Sequence, residues 1–132
     1  ASTGHGLVVP TEAALAQTRS GKQVLNISGT ARAVACCVAE GDMVATVGVN
    51  RKLLVFPLAE VPEMTRGKGV ILQRFKDGGL ADVTVYSAEK GLSWKDGGGR
   101  TRTETDMTNW LGKRAGAGKM PPTGFPRPAR FT

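Results

Sequence analysis

Leu54-Val55-Phe56-Pro57, then an acidic and apolar spacer, then Thr65-Arg66-Gly67-Lys68-Gly69-Val70-Ile71-Leu72-Gln73 repeat a pattern that the chain has already used once. The earlier copy is Leu7-Val8-Val9-Pro10, a similar spacer, and Thr18-Arg19-Ser20-Gly21-Lys22-Gln23-Val24-Leu25-Asn26. Pro10 and Pro57, Thr18 and Thr65, and Arg19 and Arg66 are each 47 residues apart, so the two units align without a gap. A weaker third copy runs from a hairpin over residues 94–102 through Trp110-Leu111-Gly112-Lys113-Arg114-Ala115-Gly116-Ala117-Gly118-Lys119. Each unit reads as a strand, a spacer, a Gly-rich basic loop, another strand and a hairpin. Repeats of about 40 to 50 residues made of short strands describe the blades of a propeller or pinwheel, in which each unit buries its apolar face on its neighbour.

The rest of the chain agrees with that reading. Helical periodicity is nearly absent, while short β-branched runs bounded by Gly, Asp and Asn recur at close intervals, as in an all-β domain. Strands are expected over residues 6–10, 23–27, 33–38, 43–47, 53–57, 70–75, 83–87, 91–94 and 100–104. Gly41-Asp42, Val49-Asn50-Arg51, Asp77-Gly78-Gly79 and Asp96-Gly97-Gly98-Gly99 supply the positive φ angles of tight hairpins. The expected architecture is a partial, propeller-like β-pinwheel of roughly two to three four-stranded blades. Residues 1–111 carry the repeats, divided near 1–50, 51–93 and 94–111, and residues 112–132 form a basic Gly/Pro-rich C-terminal segment. Phe125 and Phe131 are placed to pin that tail to the surface. So incomplete a set of blades is expected to leave a sheet edge or blade face open.

A chain of 132 residues suffices for one domain with a modest core. Lys and Arg number 18 against 11 Asp and Glu, a formal charge of +7 that suits a polyanionic partner. No apolar run approaches the roughly 18 residues needed to span a bilayer, so no membrane role is expected and the setting read is cytoplasmic. The chain begins at Ala1, without a methionine, directly on a strand-like pattern, as a piece of something longer would. Cys36 and Cys37 are adjacent, which excludes ordinary disulfide geometry between them, and they read as reduced packing residues.

The recurring loops carry the chemistry. Arg19-Ser20-Gly21-Lys22, Arg66-Gly67-Lys68-Gly69 and the run from Lys113 to Lys119 set cations beside glycine, which lets backbone approach a phosphate while Arg and Lys neutralise it. Arg19, Lys22, Arg66, Lys68, Lys113, Arg114 and Lys119 are therefore the leading candidates for contact with double-stranded DNA phosphates. Arg51, Lys52, Arg74, Lys76, Arg100 and Arg102 alternate with apolar strand positions and form a second tier. If about six phosphates are engaged, log affinity should fall against log salt with a slope of roughly −5. A nucleotide-binding loop is excluded near Lys119, because Lys113 stands where a glycine is required and Met120 where Ser or Thr should follow. His5 is the only histidine, and with two adjacent cysteines it makes neither a triad nor a zinc set, so no catalytic or metal site is expected. Tyr86 lies in an apolar strand without a cationic cluster, and Trp94 and Trp110 read as core.

The segments from Gln17 to Asn26, from Arg51 to Leu58 and from Pro62 to Gln73 resemble the C-terminal repeats of the topoisomerase IV A subunit, in their alphaproteobacterial form. Phe75-Lys76-Asp77-Gly78-Gly79-Leu80 and Gly124-Phe125-Pro126-Arg127 resemble them as well, and the likeness covers nearly the whole chain. It implies a β-pinwheel whose neighbouring blades exchange a strand and whose basic perimeter engages the DNA segment to be transported, tuning topology preference in decatenation and relaxation near the nucleoid. It also implies a parent polypeptide that forms a homodimer, pairs with the ATPase-bearing B subunit, and keeps its catalytic tyrosine, magnesium and ATP outside this chain, which needs no cofactor. Thr18 to Lys22 and Thr65 to Gly69 are degenerate against the fuller glycine and arginine box of the gyrase A protein, which argues against strong chiral wrapping. The alternative reading is a docking module that recruits a regulatory or chromosome-organising protein.

Overall fold

The computed structural model describes residues 1–9, 32–37, 39–64, 69–75, 78–95, 98–121, 125 and 131. Its strands are β1 (His5–Gly6), β2 (Met43–Gly48), β3 (Leu53–Pro57), β4 (Val70–Ile71), β5 (Leu80–Tyr86), β6 (Leu92–Lys95) and β7 (Thr101–Glu104), with one 3-10 turn at Leu58–Glu60. Successive strand side chains point to opposite faces, so the nearly unbroken apolar runs in β2 and β3 require cover on both sides. They have it. Ala45, Val47, Leu53 and Val55 face a core completed by Leu92, Trp94, Met107, Phe125 and Phe131. Val44, Leu54 and Phe56 face a second core with Leu72. The antiparallel register sets Ala45 against Val55, Val47 against Leu53 and Val44 against Phe56, which keeps each set on its own face. Strand β5 pairs antiparallel with the other edge of β2, giving the order β3-β2-β5. Pairs β1-β4 and β6-β7 make two further small sheets among the described residues.

Hydrogen bonds recur with the sequence repeat. Val8 N donates to Pro62 O at 3.1 Å and the Val8 carbonyl accepts from Met64 N at 2.7 Å. One unit later, Val55 N donates to Trp110 O at 3.0 Å and the Val55 carbonyl accepts from Gly112 N at 2.8 Å. The two parallel bridges, Val8 to Glu63 and Val55 to Leu111, are thus 47 residues apart on one strand and 48 on the other. An antiparallel contact repeats beside each: Gly6 with Val70, then Leu53 with Lys119. The end of the spacer and the glycine-rich segment of one unit therefore lie along the first strand of the unit before it, and neighbours interlock through backbone.

Glycine is required where this contact is tightest. Gly69 and Gly118 occupy equivalent places at φ 80° and 83°. A Cβ on Gly118 would lie 2.8 Å from both Leu53 O and Gln73 Nε2. Gly118→Ala should destabilise the chain by about 2 kcal/mol or more, read as a lower urea midpoint at unchanged m-value.

Several expected boundaries move. Residues 33–37 form no strand, since Ala33, Cys36 and Cys37 are exposed and the stretch finds no ladder partner among the described residues; Val38 and the strand expected over 23–27 lie outside them. Both cysteines are free and exposed rather than packed. The strand expected over 70–75 stops after Ile71 because the backbone changes partner. Leu72 N donates to Gly4 O, while the Leu72 carbonyl accepts from Ala115 N and Arg74 N donates to Gly116 O. In the β2–β3 turn the positive φ falls on Arg51, at 69°, rather than on asparagine. Asn50 instead uses Oδ1 to accept from Lys52 N at 3.0 Å, closing a side-chain turn.

Candidate nucleic-acid interface

Backbone pairing decides which of the expected cations meet. The Lys113–Lys119 loop runs beside the start of β3 and the end of the Val70–Arg74 segment. Leu53 N donates to Lys119 O, Lys119 N donates back to Leu53 O, and Arg74 N donates to Gly116 O. This brings Lys119 next to the Lys52 end of β3 and brings the middle of the loop next to Arg74. Lys52, Arg74, Lys113 and Lys119 are all exposed, and these bonds join the backbone of the two repeat units that carry them.

A single side chain ties these segments together. Gln73 is fully buried, with 0% of its surface exposed. Its Nε2 donates to Lys52 O and to Ala117 O, each at 3.0 Å, and its Oε1 accepts from the Thr46 hydroxyl at 2.8 Å. Thr46 is also fully buried. Neither residue stands out in the sequence, although an amide recurs at Asn26 and Gln73, equivalent places in the first two units.

Two of the expected contacts also bond within the chain. Arg114 is half-buried; its guanidinium donates to Ile71 O at 2.8 Å and its backbone N–H to Glu60 Oε1 at 3.1 Å. Arg51 sends its guanidinium to the carbonyl of Phe125 at 3.1 Å, fastening the tail to the β2–β3 turn. Arg100 precedes β7 and Arg102 lies within it; both are exposed on the separate β6–β7 hairpin. Arg19, Lys22, Arg66, Lys68 and Lys76 lie outside the described residues.

The arrangement offers charge and little reactive chemistry. Among the described residues, no three His, Cys, Asp or Glu side chains gather as a metal site, and no helix is long and apolar enough to cross a membrane. His5 shares a 2.9 Å hydrogen bond with the Thr3 hydroxyl at the exposed N-terminal turn. Burial, and after it the charge of Asp42, pushes the Tyr86 phenol up to about 12, which keeps it neutral and a poor nucleophile. Because the unfolded phenol ionises near 10 while the folded one holds its proton, stability should fall as pH rises from about 10 to 12. Tyr86→Phe should flatten that fall in urea titrations. The tryptophans are structural: Trp94 is buried against Phe125, and Trp110 Nε1 donates to Met120 O at 2.8 Å.

No family model matches the chain. Across 131 residues it is 46% identical to the DNA topoisomerase 4 A subunit of Rickettsia bellii, covering 99% of this chain and 18% of that protein. It is 49% identical over 128 residues to the DNA topoisomerase 4 A subunit of Caulobacter vibrioides, covering 97% of this chain and 17% of that protein. The chain thus spans under a fifth of the length of these relatives. Its fold is similar to that of the E. coli ParC C-terminal domain, with a TM-score of 0.76 at 22% identity over 92% of this chain and 54% of that one.

Proposed function

We propose that this chain, which matches a C-terminal segment of the DNA topoisomerase IV A subunit over nearly its whole length and carries the β-pinwheel fold, is a non-catalytic module that binds duplex DNA through phosphate contacts. In this reading it engages the segment to be transported and tunes which DNA crossings the parent enzyme accepts in decatenation and relaxation. The parent polypeptide would dimerise and pair with the ATPase-bearing B subunit, and the cleavage tyrosine, magnesium and ATP would lie elsewhere in that assembly.

The observation that carries the reading is the backbone pairing that joins the segments bearing exposed Lys52, Arg74, Lys113 and Lys119 in a chain with net charge +7. Phosphate contacts from such cations are independent of sequence, because they touch no base edge. Arg66 and Lys68 extend the same logic to the glycine-rich loop of the second unit. Replacing both by alanine should weaken binding to duplexes of different sequence by a similar factor, and should flatten the salt slope by about 2. Unchanged affinity would remove that loop from the interface. A docking role for a protein partner draws on exposed Leu111 and Met120, 54% and 61% accessible; the Met120 carbonyl accepts from the indole of Trp110, the residue before Leu111. Binding to a partner that survives high salt and is lost in Leu111→Ser would favour it.

A further inference from the structure

A buried primary amide is costly unless its polar atoms are matched, and Gln73 has all of its partners inside the chain. Those partners come from three places: Thr46 on β2, Lys52 at the entry to β3, and Ala117 in the C-terminal glycine-rich loop. Lys52 contributes the accepting carbonyl while its own side chain is exposed, and Ala117 sits between Lys113 and Lys119. Arg74 is the next residue along the chain from the amide. One side chain therefore fixes backbone at Lys52, next to Arg74, and within the loop that carries Lys113 and Lys119. An apolar residue of similar size would fill the same volume and would leave the Ala117 carbonyl and the Thr46 hydroxyl without their bond to it, while Lys52 O keeps the one from Gly48 N.

We propose that Gln73 is a positioning residue for DNA binding: it holds the loop over residues 113–119 against the Lys52 and Arg74 edge so that cations from two repeats present to one run of phosphates. The proposal rests on the DNA-binding reading above. Preorganised cations bind phosphate without paying again for loop ordering, so releasing the loop should cost affinity although no charge has been removed.

The test compares the chain with Gln73→Leu and Gln73→Glu, by two readouts. Without DNA, amide hydrogen exchange at Ala115, Gly116 and Lys119 should quicken by about tenfold in Gln73→Leu, the loss of one or two matched hydrogen bonds. With a short duplex, its salt slope should flatten by about 1 to 2. In Gln73→Glu the carboxyl faces two carbonyl oxygens, which raises its pKa, so at neutral pH the ionised form should repel the loop. Lowering the pH returns a proton donor, and exchange and slope should move back toward those of the unsubstituted chain measured at the same pH. Thr46→Val removes only the bond to Oε1 and should act in the same direction with smaller amplitude, which keeps the proposal testable if Gln73→Leu does not fold. Unchanged exchange overturns the proposal. Faster exchange with an unchanged slope also overturns it, leaving Gln73 as a purely structural residue. Failure of the DNA-binding reading itself is separately visible, as the absence of salt-dependent binding by the unsubstituted chain, and Gln73's role falls with it.

Discussion

Phe125→Ala should unfold the chain more readily than any surface change, costing about 3 to 4 kcal/mol and lowering the thermal midpoint by roughly 10 °C or more. Phe125 lies in a Gly/Pro-rich stretch, yet its ring is 5% exposed. It stands 5.7 Å from Trp94, tilted at 48°, and 5.7 Å from Phe131 in an edge-on arrangement at 77°. Its carbonyl accepts from Arg51, and Phe131 N donates to Asp82 at 2.9 Å, so both rings are held at the backbone as well. These rings share the core with Ala45, Val47, Leu53 and Val55, which makes them part of what covers one face of the β2–β3 hairpin. Truncation leaves a cavity beside Trp94, so indole emission should shift red at low denaturant before the global transition. A loss under about 1 kcal/mol would show that the tail ring does not fill this core.

The second large effect concerns binding. Replacing Lys52, Arg74, Lys113 and Lys119 together by alanine should flatten the salt slope by about 3 to 4, and should weaken duplex binding about a hundredfold near 0.1 M salt. All four are exposed, so their removal should leave the unfolding free energy within about 0.5 kcal/mol of the starting value. Arg114→Ala should show the opposite balance, because its guanidinium bonds Ile71 O: stability falls and the slope changes little. If the quadruple variant binds as before, the interface lies on other cations, and the β6–β7 hairpin with Arg100 and Arg102 is the next surface to neutralise.

The repeat is legible because interlocking units need the same apolar strand, followed by Pro10 and Pro57 in the first two units, and the same close-contact glycine at Gly69 and Gly118 in the later two. Sequence reading located β3 to the residue and β2 to within one residue, since strands covered on both faces leave an unbroken apolar signature. It over-extended β4 because hydropathy cannot register a change of hydrogen-bond partner at Leu72, where the backbone leaves β1 for the glycine-rich loop. It assigned a strand to residues 33–37 because apolar β-formers look alike whether or not a neighbouring strand is there to pair with them. For the candidate site, composition and spacing point to Lys52, Arg74, Lys113 and Lys119 without showing that their segments are joined, because that depends on the long-range pairing of Leu53 with Lys119 and of Gln73 with Gly116. Charge alone does not reveal that the Arg51 and Arg114 guanidinium groups each have a backbone carbonyl within reach. Gln73 was passed over since a polar residue after an apolar run reads as a strand end, and only its burial marks it as a joint between units.

The most direct test of the central claim is the affinity of the 132-residue chain for a short duplex of arbitrary sequence, followed by fluorescence anisotropy across a salt series. Phosphate tracking by the exposed cations predicts a straight log–log plot with a slope of roughly −4 to −6 and little difference between duplex sequences. A flat plot, or no binding even at low salt, would contradict it.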